Sequence, residues 1–410
     1  MEIITKPVMH GDCNIICGDT EHLLIDCGSD NRGNNVNSSS FAYGKINKEI
    51  SRNDITDIMV SHFHKDHFNG ILKIPDSYKI KTAYLPYSII KNEIPYVKGI
   101  GRLLAIASPY SRGFQLSRDI IELFRKLVCI SNEIHFLKKD DVLFFDNDEI
   151  RILWPDICHI VHFMHNPVKL PDEQGVITSI NNTEWFTSIK AEEHFFTIED
   201  RLSTEFSEMV KSFQIENQGL LPTMHKFIDY LNNFIYSRHE TSEVSFERTY
   251  EAYKDLINQR NRFRRRLNVN DSSRINYFAL QQYHNIVTCM NAISIVFDCK
   301  NRFLFLGDAP SRVVDYLSPL FYDNYKFVKI QHHGTKSYYT SNTPVGNYNL
   351  ISSGGYISRK IHRNYVDRVS RERVICTSAH KSSSDFCNYA TNKMCSQSCT
   401  KVFDQHLLTV

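Results

Sequence analysis

A short apolar strand that runs straight into a loop crowded with metal ligands constrains this chain more than any other stretch. Asp57-Ile58-Met59-Val60 leads into Ser61-His62-Phe63-His64-Lys65-Asp66-His67-Phe68-Asn69-Gly70. Three histidines and one aspartate fall within six residues, in the order H-x-H-x-D-H. From an extended turn, His62 and His64 point the same way and can share one ion. Asp66 and His67 follow on the bend and can serve a second. Imidazole with carboxylate suits Zn²⁺ and, less strictly, Mn²⁺ or Fe²⁺. Asn69-Gly70 then lets the chain turn into Ile71-Leu72-Lys73-Ile74. A ligand loop at a strand end is the usual place for a site in layered α/β folds.

Further segments repeat the theme of an apolar strand ending in polar residues. His10-Gly11-Asp12-Cys13-Asn14-Ile15-Ile16 leads to Leu23-Leu24-Ile25-Asp26-Cys27-Gly28. Phe303-Leu304-Phe305-Leu306-Gly307-Asp308 and Val328-Lys329-Ile330-Gln331-His332-His333-Gly334-Thr335-Lys336-Ser337 come late in the chain. With the histidine loop, these segments resemble the metallo-β-lactamase-fold hydrolases. The double-His, Gly, Thr/Ser, Lys, Ser pattern is similar to one branch. That branch contains the hydrolase domain of DNA-uptake competence proteins and the phosphorylcholine esterases. Ile150 to Pro155, Asn291 to Phe297 and the segment from Gly354 to His362 match the same branch.

The resemblance implies a four-layer αββα sandwich of the α/β class, and it implies roles. His62 and His64 would hold a first ion, and Asp66 and His67 a second. Asp308 would bridge both, and His333 rather than its neighbour His332 would complete the second site. Asp26 would orient a ligand imidazole through its second N–H. Asp66 and His362 are the candidate catalytic residues, with His362 donating a proton or contacting phosphate. The cofactor implied is Zn²⁺, as two ions, with Mn²⁺ as the alternative. One departure stands out. Many members carry a third histidine for the first ion just before the strand of the bridging aspartate, where this chain reads Cys289-Met290-Asn291-Ala292-Ile293-Ser294. Asn291, or one of His159, His162 and His165, is the candidate replacement.

Between Pro155 and Ile286 strand signals give way to helical periodicity, as in Glu199 to Gln214, His225 to Tyr236 and Ser245 to Leu267. The expected organisation is therefore a hydrolase domain from 1–155 and 286–410, with a mostly helical insertion over 156–285. Such an insertion can cap a cleft or serve packing, a protein partner or homo-oligomerisation. Within it, Arg260-Asn261-Arg262-Phe263-Arg264-Arg265-Arg266 either grips phosphates or forms a solvated helix face paired with Glu247, Glu251 and Asp255.

Composition excludes more than it proves. A net charge of +2 over 410 residues gives no global field for nucleic acid or membrane. Apolar runs are short, so no transmembrane span is expected, and no secretory leader is evident. Eleven cysteines without such a leader fit reduced thiols in a cytoplasmic protein. Cys376, His380, Cys387, Cys395 and Cys399 could together bind zinc, but their spacing matches no standard finger. No G-x-S-x-G elbow, Walker loop or G-x-G-x-x-G occurs. The expected function is metal-activated hydrolysis of a phosphodiester, either nucleic acid or a small nucleotide. Its alternatives are hydrolysis of another ester or thioester, or a weakly catalytic scaffold.

Overall fold

The computed structural model describes residues 1–6, 8, 11–29, 54–87, 111–156, 159, 170–171, 177–178, 223, 226–227, 230, 243–266, 290–352, 361–368, 374–376 and 406–409. His10, His162, His165 and the tail residues His380, Cys387, Cys395 and Cys399 lie outside that set.

The chain clusters into two compact units. The first comprises Met1–Tyr87, Glu122–Phe163 and Met290–Val410, and the second Ser88–Ile121 and Met164–Cys289. In the first unit the order begins β1 (Glu2–Thr5), β2 (Cys13–Cys17), β3 (His22–Cys27), β4 (Asp57–Met59), helix α1 (Lys65–Phe68) and β5 (Ile80–Pro86). Helix α2 (Ser111–Ile130) enters it from the second unit, and β6 (Ser131–Leu137), β7 (Val142–Phe145) and β8 (Asp148–Trp154) follow. In the second unit lie the two-residue strands β9 (Leu170–Pro171) and β10 (Ile177–Thr178), and helix α3 (Glu243–Arg266). The first unit resumes with β11 (Val296–Cys299), β12 (Phe303–Phe305), α4 (Ser311–Leu317), β13 (Phe327–Lys329), β14 (Tyr348–Ile351), α5 (Asn364–Asp367), β15 (Val374–Cys376) and β16 (His406–Thr409).

Two seven-stranded sheets form the first unit, in the orders β16-β1-β2-β3-β4-β5-β6 and β15-β14-β13-β12-β11-β8-β7. Their centres are parallel: β3, β4, β5 and β6 in one, β12, β13, β14 and β15 in the other. Parallel strands are buried on both faces, which is why β4 reads Asp-Ile-Met and β12 Phe-Leu-Phe with every residue buried. One core cluster draws on both sheets. It takes Ile3, Ile16, Leu23, Ile25 and Met59 from the first and Ile150, Ile152, Phe297, Phe303, Phe305 and Phe327 from the second. Phe297 and Phe305 stack at 5.0 Å within it. The parallel arrangement matters for function, because it brings the carboxyl ends of β3, β4, β12 and β13 to one edge, where the polar segments begin.

Polar groups lock the second sheet laterally. The Arg151 guanidinium donates to both oxygens of buried Asp298 at 3.0 and 2.8 Å, and the Tyr325 hydroxyl donates to the same carboxylate at 2.6 Å. The Trp154 indole N–H donates to the Ala292 carbonyl at 2.6 Å, tying β8 to the turn before β11.

In the second unit, α3 buries Phe246, Thr249, Tyr253 and Leu256, spaced three and four apart, so one helical stripe faces inward. Phe227 packs on Tyr253 at 5.5 Å. The arginine-rich run forms the end of this helix, and Arg262 and Arg265 are exposed. No helix among the described residues is long and apolar enough to cross a membrane.

Candidate metal centre

The histidine loop is held against the β2–β3 hairpin by backbone contact so close that only glycine fits. A Cβ on Gly28 would lie 2.3 Å from the Asp66 carbonyl carbon, and one on Gly11 2.3 Å from the Gly28 oxygen. Gly11 also has a φ of +145°, which side-chain-bearing residues rarely adopt. The Asp12 N–H donates to the Asp66 carbonyl at 3.1 Å, and the Gly70 N–H to Cys27 at 2.7 Å. The Asn69 side chain clasps Ser29, accepting from its N–H at 2.9 Å and donating to its carbonyl at 2.7 Å. Gly28→Ala should therefore push the ligand loop away and destabilise the fold by about 1–3 kcal/mol. Thermal denaturation checks this, and an unchanged midpoint would mean the loop yields freely.

Asp26, at a φ of 53°, turns back from the end of β3 and organises the loop. Its carboxylate accepts from the Ser61 N–H and hydroxyl, each at 2.7 Å, and pairs with His67 Nδ1 at 2.8 Å. This leaves His67 Nε2 aimed inward. On the second sheet, Gly307 at a φ of +50° ends the strand segment and delivers Asp308, whose N–H donates to the Ser294 hydroxyl at 3.2 Å. After β13 the chain runs through three consecutive left-handed residues: His332 (φ 42°), His333 (φ 56°) and Gly334 (φ 72°). Two of them are not glycine. Strain of this kind persists where surrounding contacts over-determine it, and it gathers at functional sites. Here His333 Nδ1 bonds the Ser352 carbonyl at 2.6 Å, and the His362 N–H bonds Gly334 at 2.9 Å.

Two groups of ligand-type side chains result. His62, His64 and Asp308 form one, and Asp12, His67, Asp308 and His333 the other. Within each group the donor atoms lie within 4.8 Å of one another. Asp308 belongs to both. Its Oδ2 stands 3.7 Å from His62 Nε2, 3.5 Å from His67 Nε2, 3.6 Å from His333 Nε2 and 3.0 Å from His332 Nδ1. Donors about 2.0–2.2 Å from a shared ion are spaced by about these distances. The Nε2 atoms of His62, His64 and His67 and Oδ1 of Asp308 are buried without a hydrogen-bond partner. Buried polar atoms are costly in that state, and a divalent cation would satisfy them together. The residues fit the ion.

Asp66 stands next to the second group, with its Oδ2 3.2 Å from His333 Nε2. His362 lies in neither group. Its ring stacks on Tyr339 at 3.7 Å, and its Nδ1 accepts from the Asn364 N–H at 3.3 Å. His159 bonds Asp156 at 3.0 Å, also outside both groups. Two residues of the centre escaped the sequence reading. Asp12 was visible only as a polar residue after glycine in the hairpin. Lys329 is the third residue of the buried strand β13, and its ammonium lies 2.8 Å from Asp12 and 3.9 Å from Asp308. A lysine inside the apolar run Phe-Val-Lys-Ile was the available signal.

Electrostatics divide the histidines. Burial drives His62 well below the ordinary imidazole value, and His67 and His64 beside it add to the fall. Burial likewise takes His64 down to about 4. Burial also acts to lower His67, but the carboxylates of Asp308 and Asp26 prevail and hold it well above the usual value. His333 is raised in the same way by Asp308 and Asp66 against its burial. Asp308 resists burial too, held well down by His333, His67 and His332. In the metal-free protein at neutral pH the second group is thus proton-loaded, whereas the first holds neutral imidazoles. A metal ligand must be a neutral imidazole. Metal uptake should therefore release protons, and affinity should fall as pH drops below neutrality. Calorimetric titration in buffers of different ionisation enthalpy reads the proton count, and a buffer-independent heat would contradict this.

Residues 7–89 match the family model described as the Metallo-beta-lactamase superfamily. The matched stretch carries Asp12, Asp26, His62, His64, Asp66 and His67, whereas Asp308, Lys329, His332 and His333 lie beyond it. No curated protein matches the chain. A domain of this superfamily together with two ligand groups sharing one carboxylate indicates a metal-dependent hydrolase.

Asp26 supports the centre without belonging to either group, by holding His67 through Nδ1. Partners of this kind typically contribute 10–100-fold to metal affinity, so Asp26→Asn should weaken binding by about that factor. Competition with a chromophoric chelator measures it, and an unchanged constant would assign Asp26 to loop structure alone.

Proposed function

We propose that this protein hydrolyses a phosphodiester, using two divalent ions held by His62, His64 and Asp308 and by Asp12, His67, Asp308 and His333. The sharing of Asp308 between the two groups carries the reading. Zn²⁺ suits these donors best, with Mn²⁺ next. When bound, such ions supply an activated water and draw charge from the attacked centre and its leaving oxygen. The protein's own part is positional. Asp66, beside His333 and less buried than the ligands, is placed to hold the attacking water in line and take its proton. Asp26 fixes His67, and the Ser352 carbonyl fixes His333, so neither imidazole need reorganise during turnover.

The phosphodiester assignment is supported by charge beside the ligand loop. Exposed Lys336 follows the double histidine directly. Burial, Lys336 and Arg363 together depress His362, so a basic rim surrounds that imidazole. An anionic substrate would lower its own energy there. In this reading His362 contacts phosphate or protonates the leaving group. The fold is the four-layer αββα sandwich, and the substrate, nucleic acid or a small nucleotide, is its principal partner.

Hydrolysis of bis(p-nitrophenyl) phosphate with added Zn²⁺ or Mn²⁺, beside Asp66→Ala, tests the proposal. Metal-dependent turnover that drops by about 100-fold or more in the variant is the expected result, in line with loss of a general base. A metal-loaded wild type active on carboxylic esters or thioesters but inert toward phosphodiesters would replace the substrate assignment. Inertness toward all three would favour a scaffold.

A further inference from the structure

We infer that His332, the first of the paired histidines, is an additional ligand of the first metal group, held in place by Tyr338 and Asn291. This rests on the metal-dependent reading above.

Three observations converge on it. The first is distance. Four imidazole nitrogens surround Asp308 Oδ2, and His332 Nδ1, at 3.0 Å, is the nearest. That spacing suits two ligands of one ion as well as it suits a hydrogen bond. The second is restraint. The His332 ring lies flat on Tyr338, 3.7 Å away and tilted by 7°. The Tyr338 hydroxyl accepts from Asn291 Nδ2 at 2.8 Å, and the same nitrogen stands 3.4 Å from His332 Nδ1. A histidine serving only as surface would gain nothing from a left-handed φ of 42° and a clamped ring. The third is which group it joins. The second group is wholly buried and already has four donors, two of them carboxylates. The first has three, and His64 is its half-buried member. His332 is 23 % exposed on its side chain, on the same open side, and its charge bears on His64.

Asn291 thereby acquires a role. It occupies the turn before β11, where a direct ligand would have been easy to place, and instead secures the ring that backs His332. The first ion is then held by His62, His64, Asp308 and His332, with Tyr338 and Asn291 as positioning residues.

Cobalt(II) titration of the metal-free protein followed by visible absorption, with metal content measured by mass spectrometry, tests the assignment without using activity. His332→Gly is the informative variant, because glycine accepts the positive φ. The wild type should bind two ions. The variant should keep one at unchanged affinity, which also shows that it is folded. The other should bind at least about tenfold more weakly, with an altered cobalt spectrum. Tyr338→Leu, which removes the stack and the hydroxyl, should weaken the same ion to a smaller degree. Two ions bound by His332→Gly with wild-type affinities and spectrum would overturn the inference, and a raised KM alone would then place His332 on the substrate. A wild type that binds no cobalt would instead bring down the metal-dependent reading itself.

Discussion

Asp308→Ala will strip metal from both ligand groups at once and abolish hydrolysis with it. Among the described residues Asp308 alone belongs to both groups, and its Oδ2 faces four imidazole nitrogens at 3.0–3.7 Å. Removing any other ligand leaves one group intact. Removing this one leaves two histidines in the first group, and in the second a set whose imidazoles have lost their main carboxylate. The loss of affinity should exceed the roughly 100-fold upper range for residues that merely support a ligand. The variant should still fold, because its neighbours His67 and His333 keep Asp26 and the Ser352 carbonyl. Metal content after dialysis and cobalt titration measure the effect, with circular dichroism as the control for folding. A variant that retained two ions would remove the shared carboxylate, and with it the two-ion reading.

Lys329→Met should produce the largest loss of stability of any single change at the centre. Lys329 and Asp12 are both fully buried and 2.8 Å apart, and the ammonium also donates to the Gly307 carbonyl at 3.2 Å. Taking away one partner of a buried pair strands the other charge, at a cost of about 3–5 kcal/mol. Urea denaturation of the metal-free proteins reads this directly. Lys329→Met with Asp12→Asn should recover much of the loss, since no charge is then left alone. A single variant within about 1 kcal/mol of wild type would show that Asp12 finds other compensation. Acid should reveal the same coupling. Burial acts to raise Asp12, but Lys329, with His67 and His333, holds it below its ordinary value. A carboxylate depressed in the folded state contributes stability above its unfolded value, near about 3.9, and loses it as pH falls through the folded value. The acid-side loss of stability should therefore be smaller in Lys329→Met.

The chain's own order of residues settled what depends on neighbours in sequence. The histidine loop follows a strand because Asp57-Ile58-Met59 is apolar and Asn69-Gly70 permits a turn, and both elements are found there. The hairpin Asp146-Asn147-Asp148 joins β7 and β8, and the helix read from Ser245 onward is α3, Glu243–Arg266. His62, His64, His67, Asp308 and His333 were each legible as ligand types, because a polar cluster at the end of a buried strand has few other uses.

What sequence spacing could not show was which distant residues meet. Asp12 and Lys329 are 317 positions apart, yet they form one ion pair, because β2 and β13 belong to different sheets that close on a common core. His332 likewise owes its place to three successive left-handed residues, a backbone conformation that no local propensity of histidine favours. Ligand chemistry is written in short runs of residues. Which of those residues share an ion is decided only when two sheets bring their strand ends together, since distance in space and not distance along the chain sets coordination.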